Sequence, residues 1–429
     1  MQTTKIVMAA LVVAALACNS QPPAIADSTP SGPEAAAEKV RPVQGDWPAF
    51  RGADADGIAQ GEKIWAQWPQ GGPPVQWQAE LGSGYSALVV ADGRLFTLYG
   101  EGGGEFLAAF DAASGKPLWK VKIDAIYRNR FGDGPRSAPL VDGGLVYGVG
   151  AQGALVAAQA ASGEVVWQGN VVADHGARIP EWGIAATPTL GGPDGGLLLL
   201  DIGAPDAAIL ALDKKTGKKV WGAGQGRAGY SSPVSFTLDG QKQTVFFTAD
   251  KVLAIDPDEG DVLWESPWKT SYDINAATPI VVPPNRVFVS SGYDTGAGLL
   301  EVTRTESGWK AEAVWTSRGL KNQFSSSVLL DGTLYGFDNK VLKAVDLATG
   351  EERWRQRTEG HGSLIAADGH LIILGEKGRL ALAEVNPKEY VEQSAVQILN
   401  GKCWTSPTLV DGNLFLRNEG TLLSARVAD

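Results

Sequence analysis

From about residue 75 to the C-terminus, short apolar runs that partly alternate with polar positions are separated by Gly, Asp, Asn and Ser/Thr turns. That pattern reads as half-buried strands joined by hairpins. One hairpin recurs. Residues 106–119 read FLAAFDAASGKPLW, 156–167 VAAQAASGEVVW, 209–221 ILALDKKTGKKVW, 252–264 VLAIDPDEGDVLW and 342–354 LKAVDLATGEERW. A looser copy, LLEVTRTESGWKAEAVW, ends at Trp315. In five of these six copies the Gly stands four residues before the Trp. The acidic or hydroxyl side chain can bond the turn backbone, and Gly accepts positive φ. The Trp of the returning strand gives each unit a large flat ring that can pack between sheets.

A second landmark precedes each copy. A Ser/Thr/Ala-rich start leads into an apolar strand, often an Asp-Gly pair, and another apolar strand, as in SGYSALVVADGRLFTL from Ser83 and CWTSPTLVDGNLFL from Cys403. Asp-Gly between apolar runs is a strong hairpin signal. The two landmarks give four strands per unit at a spacing of about 40–50 residues, which predicts a β-propeller. Starts at Ser83, Pro135, Gly183, Gly229, Asn275, Gln323, His361 and Cys403 predict eight antiparallel four-stranded blades, with seven as the alternative count. The seventh unit is degenerate, and Ile398 or Leu399 is expected where its Trp would be. The repeat Trp positions are Trp77, Trp119, Trp167, Trp221, Trp264, Trp315 and Trp354. The last unit lacks its final strand, while residues 75–81 (VQWQAEL) form a strand with no hairpin before it. The expected repair is closure of the last blade by this N-terminal strand, which leaves no break in the ring of sheets.

The residues before the propeller divide into three. Lys5, the apolar stretch 6–16 and the small residues Ala15-Leu16-Ala17 read as a secretory signal over 1–17, too short to span a bilayer. Cys18 follows directly, which resembles the bacterial lipoprotein signal and makes Cys18 the expected lipidation site. Asn19 in place of Asp fits outer-membrane sorting under that resemblance. Residues 18–45, rich in Pro, Ala, Ser and Glu, are expected to be a disordered tether. Residues 46–74 are expected to form a strap, with Trp47 and Phe50 docking on the propeller over 75–429. Asp54 and Asp56 lack the ligand spacing of an EF-hand-type loop and are read as part of a turn.

Composition narrows the function. With 429 residues, 54 Gly, 14 Trp and 3 His, the chain fits an all-β repeat and not a His-rich metal centre. A formal charge of −11 argues against a nucleic-acid partner. No HExxH, GxSxG, P-loop or CxxC motif occurs. His175 and His370 read as loop and surface residues, and Cys403 as a buried thiol. One constellation stands out. Tyr85, Phe324, His361 and Trp404 each lie seven residues before the Asp of their Asp-Gly turn, with Tyr230 and Arg136 close to that register. All six open an innermost strand, so they are expected to ring one channel mouth, either as a binding funnel or as packing between blades. The long loops 124–136 and 172–182 belong to the same face.

The hairpin AxDxxTGxxxW at 211–221 and 344–354 resembles the repeat of the PQQ-like β-propeller superfamily, over about residues 75–429. The WPAFRG stretch at 47–52 is similar to the opening of many exported members. The superfamily includes quinoprotein alcohol dehydrogenases and BamB-like outer-membrane assembly lipoproteins. The first group implies PQQ, calcium, a stacking Trp, an Asp base and usually a disulfide between adjacent cysteines. This chain has only Cys18 and Cys403, and its nearest approach to that base is Asp273 beside Asn275. The BamB-like group shares the length, the lipoprotein signal and the bare propeller. The resemblance therefore implies a non-catalytic, lipid-anchored, monomeric propeller in the outer membrane, facing the periplasm or exposed outside. It would hold another envelope protein or peptide segment and need no cofactor. The alternatives are a PQQ- and calcium-dependent dehydrogenase and a carbohydrate- or polymer-binding propeller.

Overall fold

The computed structural model describes residues 46–358 and 360–429. The signal, the lipidation site Cys18 and the tether fall outside these residues. The described chain forms eight four-stranded antiparallel sheets. Blades 1 to 7 span 89–125, 140–170, 189–223, 234–267, 280–317, 328–357 and 362–397, each running from inner to outer strand. Blade 8 takes its three inner strands from 408–426 and its outer strand from Val75–Glu80. Val75 pairs with Ala425 and Glu80 with Thr421, so the N-terminal strand closes the ring as its pattern requires.

The repeat chemistry is visible bond by bond. The Asp111 carboxylate accepts from the Ser114 amide at 2.8 Å and hydroxyl at 2.6 Å. Asp213 does the same for Thr216, and Asp346 for Thr349. Side-chain hydrogen bonds, from Ser114 and from Thr216, hold Asp111 and Asp213 below the usual carboxylate range. In most of the Asp-Gly hairpins the Asp takes positive φ, as in Asp92 (50°) and Asp411 (49°), while in blade 2 Gly143 and Gly144 do so, which suits the right-handed strand twist.

The fixed distance from Gly to Trp connects neighbouring blades. A methyl group at Gly115 would come within 2.4 Å of the Trp77 ring, which belongs to the preceding blade. Gly163 lies in the same way against Trp119, Gly217 against Trp167, Gly260 against Trp221 and Gly350 against Trp315. The indole N–H of Trp77, Trp119, Trp167 and Trp315 then donates to the same turn, as Trp77 does to the Ala112 carbonyl at 2.9 Å and Trp119 to Ala160 at 3.1 Å, whereas the buried Trp221 N–H has no hydrogen-bond partner among the described residues. Each such ring removes on the order of 150 Å² from water, roughly 4 kcal/mol of transfer free energy. Trp264 departs from the rule. It is buried and donates to Gln243 of its own blade at 2.7 Å.

Blade 7 also departs. Sequence places Ile398 or Leu399 at its Trp position, but the strand register places Ser394 there. Ser394 pairs with Leu382 just before a bulge, as Trp354 pairs with Ala344 before its own. The bulge, not the distance from the turn, sets the position. The strap supplies the missing ring. The Trp68 amide donates to the Ser394 hydroxyl at 2.9 Å, and its side chain is 5% exposed within the cluster that joins blades 7 and 8. Three residues earlier, the Trp65 amide donates to the Val427 carbonyl at 2.7 Å.

The rest of the strap runs across the inner strands. Trp47 forms an antiparallel bridge with Val90 of blade 1, the Pro48 carbonyl accepts from Val141 of blade 2, and Ile58 bridges Ala366 of blade 7. Arg51 is 2% exposed. Its guanidinium donates to the Asp56 and Ser327 carbonyls, both at 2.6 Å. Asp56 accepts from the Ile58 amide at 2.8 Å, so this segment is the turn expected from its sequence.

Candidate functional site at the channel mouth

Polar residues at the inner-strand starts bond from blade to blade. The Ser137 hydroxyl donates to the Ala186 carbonyl at 3.1 Å, the Thr187 amide to Ser232 at 3.1 Å and Ser231 to Ala277 at 2.9 Å. The Thr278 amide donates to Ser326 at 2.9 Å, Ser363 to Thr405 at 3.4 Å and Thr405 to Tyr85 at 3.2 Å. This belt explains the Ser/Thr/Ala-rich landmark. It also fixes the residue just before it in each blade: Tyr85, Arg136, Ala185, Tyr230, Ala276, Phe324, His361 and Trp404.

Six of these eight are the residues singled out in the sequence, and all six are half-buried. Four stack together. The ring centroids of Tyr85 and Trp404, Phe324 and Trp404, and Phe324 and His361 are each 5.1 Å apart. The Arg136 guanidinium lies 5.7 Å from the Tyr85 ring centroid and 4.9 Å from that of Tyr127. Tyr230 stands apart from this group and packs on Trp182 at 5.4 Å.

Two long loops meet over the mouth. The Phe131 carbonyl accepts from the Tyr85 hydroxyl at 2.6 Å and from the Lys402 ammonium at 2.6 Å. The Phe131 ring meets Trp182 edge-on at 5.7 Å, and Trp182 reaches Tyr293 of blade 5 at 6.4 Å. Asn129 and Tyr127 both donate to the Glu181 carbonyl, joining the two loops. Below them, the fully buried Glu105 accepts from the Tyr127 amide at 3.1 Å and the Ala151 amide at 2.9 Å. Burial raises the pKa of Glu105.

The exposed apolar surface of this face belongs to residues the sequence reading did not select. Tyr272 is 69% exposed and packs on Tyr293 at 5.3 Å, while Phe131 and Ile179 are each 40% exposed. The one available signal was position, since all three lie in loops between an outer strand and the next inner strand. The rings thus form two groups, Tyr85, Trp404, Phe324 and His361 on the belt and Phe131, Trp182, Tyr230, Tyr293 and Tyr272 around the loops, joined through the hydrogen bonds at the Phe131 carbonyl and suited to stacking and apolar contact.

The other selected residues have local roles. Burial pushes the Cys403 thiol up to about 12, which suits an inert core residue. His175 ends the five-residue helix Val171–His175, and burial lowers its pKa. His370 opens a blade 7 strand and contacts the Asp368 carbonyl at 2.8 Å. Among the described residues, no three His, Cys, Asp or Glu come together as a metal site. Asp273 and Asn275 do not fit the calcium-and-base pair of a quinoprotein. Asp273 forms an ion pair with Arg227. Asn275 is fully buried, donates to the Thr248 carbonyl at 2.8 Å and accepts from Ser291 at 2.6 Å.

Asp201 supports the approach to Tyr230 and predicts a pH effect. It is 3% exposed, accepts from the Gly229 amide at 2.9 Å, and its other carboxylate oxygen has no partner among the described residues. Burial raises its pKa from the ordinary 3.8 to about 7. The folded state therefore holds this proton more tightly than the unfolded chain. Stability from this group is full below the unfolded value and is lost as pH rises through the folded value. Asp201→Asn is expected to stabilise the protein at pH 8 by roughly 3–4 kcal/mol more than at pH 4, where the effect is small. Denaturant midpoints at the two pH values check this, and an equal difference at both would contradict it.

The fold, the Trp–Gly contacts between blades and the belted mouth define a PQQ-like β-propeller. The chain belongs to the family described as outer membrane protein assembly factor BamB, whose model matches residues 53–180, 108–340 and 338–428. No curated protein matches the sequence. Solved structures share the fold at low identity. BamB from Moraxella catarrhalis is 14% identical with a TM-score of 0.56, covering 82% of this chain and 98% of that one. Quinohemoprotein alcohol dehydrogenase from Comamonas testosteroni is 14% identical with a TM-score of 0.61, covering 90% and 81%. The computationally designed Ika8 protein is 12% identical with a TM-score of 0.58, covering 83% and 100%.

Proposed function

We propose that this chain is a non-catalytic, lipid-anchored propeller of the bacterial cell envelope that holds another envelope protein through a peptide segment at its aromatic mouth. The family match, to an outer membrane protein assembly factor, carries this reading. The mouth supports it, because its exposed rings Phe131 and Tyr272 stand on a frame of bonded loops and need no rearrangement to receive a partner. The engagement of Asp273 by Arg227, and of Asn275 by Thr248 of blade 4 and Ser291 of blade 5, speaks against the dehydrogenase alternative.

The expected result is that Phe131→Ala and Tyr272→Ala each weaken partner capture from envelope extracts about tenfold, with an unchanged thermal midpoint, since both rings are surface-exposed. Tyr85→Ala and Trp404→Ala are expected to weaken capture too, but also to lower the midpoint, because both sit in the stacked frame. A titration with PQQ and calcium is expected to give no saturable change in absorbance or melting temperature. Saturable binding would instead establish the dehydrogenase reading. Cys18→Ser is expected to move the protein from the membrane fraction to the soluble periplasm. Continued membrane fractionation would remove the anchor from this account.

A further inference from the structure

The seam between blades 6 and 7 is filled at one end only. On the inter-blade face of blade 1, the two positions that follow the repeat Trp hold Val121 and Ile123, and in blade 8 they hold Ala79 and Leu81. In blade 6 they hold Gln356 and Thr358. These two polar side chains line a cavity of about 530 Å³ in the seam. That volume lies within the usual range for small-molecule sites, about 300–1,000 Å³.

The lining has two chemical zones. The floor is apolar and buried: Phe337 and Leu342 from blade 6, Ile373 and Ala381 from blade 7. The rim carries the exposed side chains of Arg357 and Lys377, and neither head group has a partner among the described residues. The other charges of the lining are mostly spent. Arg379 holds Glu392 with two hydrogen bonds, at 3.2 and 2.5 Å, and Glu392 also accepts from the Tyr390 hydroxyl at 2.7 Å. Among the described lining residues, Glu376 is the one acid not held by a cation, and it accepts from the Trp404 indole at 3.4 Å. Among these residues the free charge at the rim is therefore predominantly positive, above an apolar floor.

We propose that this seam is a binding site for a carboxylate carried on a short apolar stem. The stem would lie on Phe337 and Ile373, and the carboxylate would meet the Arg357 fork with Lys377 beside it. Arg matches a carboxylate with two parallel N–H···O bonds, and charge-assisted bonds of this kind are roughly twice as strong as neutral ones. A free aromatic or branched acid and the C-terminus of a peptide ending in an apolar residue present this same chemistry. The proposal rests on the seam alone and does not depend on partner capture at the mouth.

The test is calorimetric titration of the purified protein with 4-phenylbutyrate, with acetyl-Leu-Phe bearing a free carboxyl group, and with the same peptide as its amide. At least one acid is expected to bind saturably. The amide is expected to bind at least tenfold more weakly than the free peptide acid, if it binds at all. The double variant Arg357→Ala/Lys377→Ala should weaken acid binding about tenfold or more without moving the thermal midpoint, because both side chains are exposed. Tighter binding of the peptide acid assigns the site to a protein C-terminus, and tighter binding of phenylbutyrate assigns it to a free acid. No saturable binding of either acid, equal binding of acid and amide peptides, or unchanged binding in the double variant would overturn the proposal.

Discussion

Replacing Arg417 with methionine is expected to lower unfolding stability by about 3–5 kcal/mol. The Arg417 side chain is fully buried, and burial pushes its pKa down to about 9. It sits on the second strand of blade 8 and reaches across the closure seam into blade 1. Its guanidinium donates to the Leu98 and Gly84 carbonyls at 2.9 Å, the Thr97 hydroxyl at 3.0 Å, and the Ser86 and Gly82 carbonyls at 3.2 Å. Methionine fills much of the volume and removes a buried charge, which is favourable. It also leaves several buried carbonyls without donors, at roughly 1 kcal/mol or more each, and that loss dominates. Lysine keeps the charge but not the planar fork, so Arg417→Lys should recover less than half of the loss. Denaturant midpoints for the two variants check both statements. A Met variant within about 0.5 kcal/mol of the parent would show that water satisfies these carbonyls and that the clasp is dispensable.

The second large effect is expected at Trp68. Trp68→Ala should cost about 3–5 kcal/mol, the range for deleting a buried large aromatic side chain. In the seventh blade Ser394 occupies the register position of the repeat Trp, and the strap returns a ring to the seam it leaves open. A compensation test follows. Ser394→Trp alone should destabilise, because Trp68 already fills the space. In the Trp68→Ala background the same change should restore stability, giving a coupling of at least 1 kcal/mol. Additive effects would mean that the two positions do not share one slot. Protease resistance of the strap should follow the same order, since this ring is one of its buried anchors, at 5% exposure.

Most of the fold was legible because its rules are local. Turn chemistry at Asp111, Asp213 and Asp346 needs only three or four consecutive residues, and the Trp spacing repeats it. Closure by Val75–Glu80 followed from counting strands. What stayed hidden depends on contacts between distant residues. Gly115 and Trp119 form one motif in the sequence, yet Gly115 packs on Trp77 and Trp119 on Gly163, so the pattern serves neighbouring blades. Trp68 and Arg417 follow no period, and only three-dimensional proximity gives them partners. The mouth divides in the same way. The belt register placed Tyr85, Phe324, His361 and Trp404 together. The exposed rings Phe131 and Tyr272 lie on loops whose path no repeat specifies.

The most direct measurement is site-specific photo-cross-linking in the living envelope. A photoreactive residue is placed at Phe131 or Tyr272 on the mouth, and as controls at Asp54 on the strap or Glu389 in the blade 7 outer hairpin. The account predicts a discrete adduct with an envelope protein from both mouth positions and none from the controls. No adduct from the mouth, or adducts of the same size from all four positions, would contradict a mouth-borne partner site.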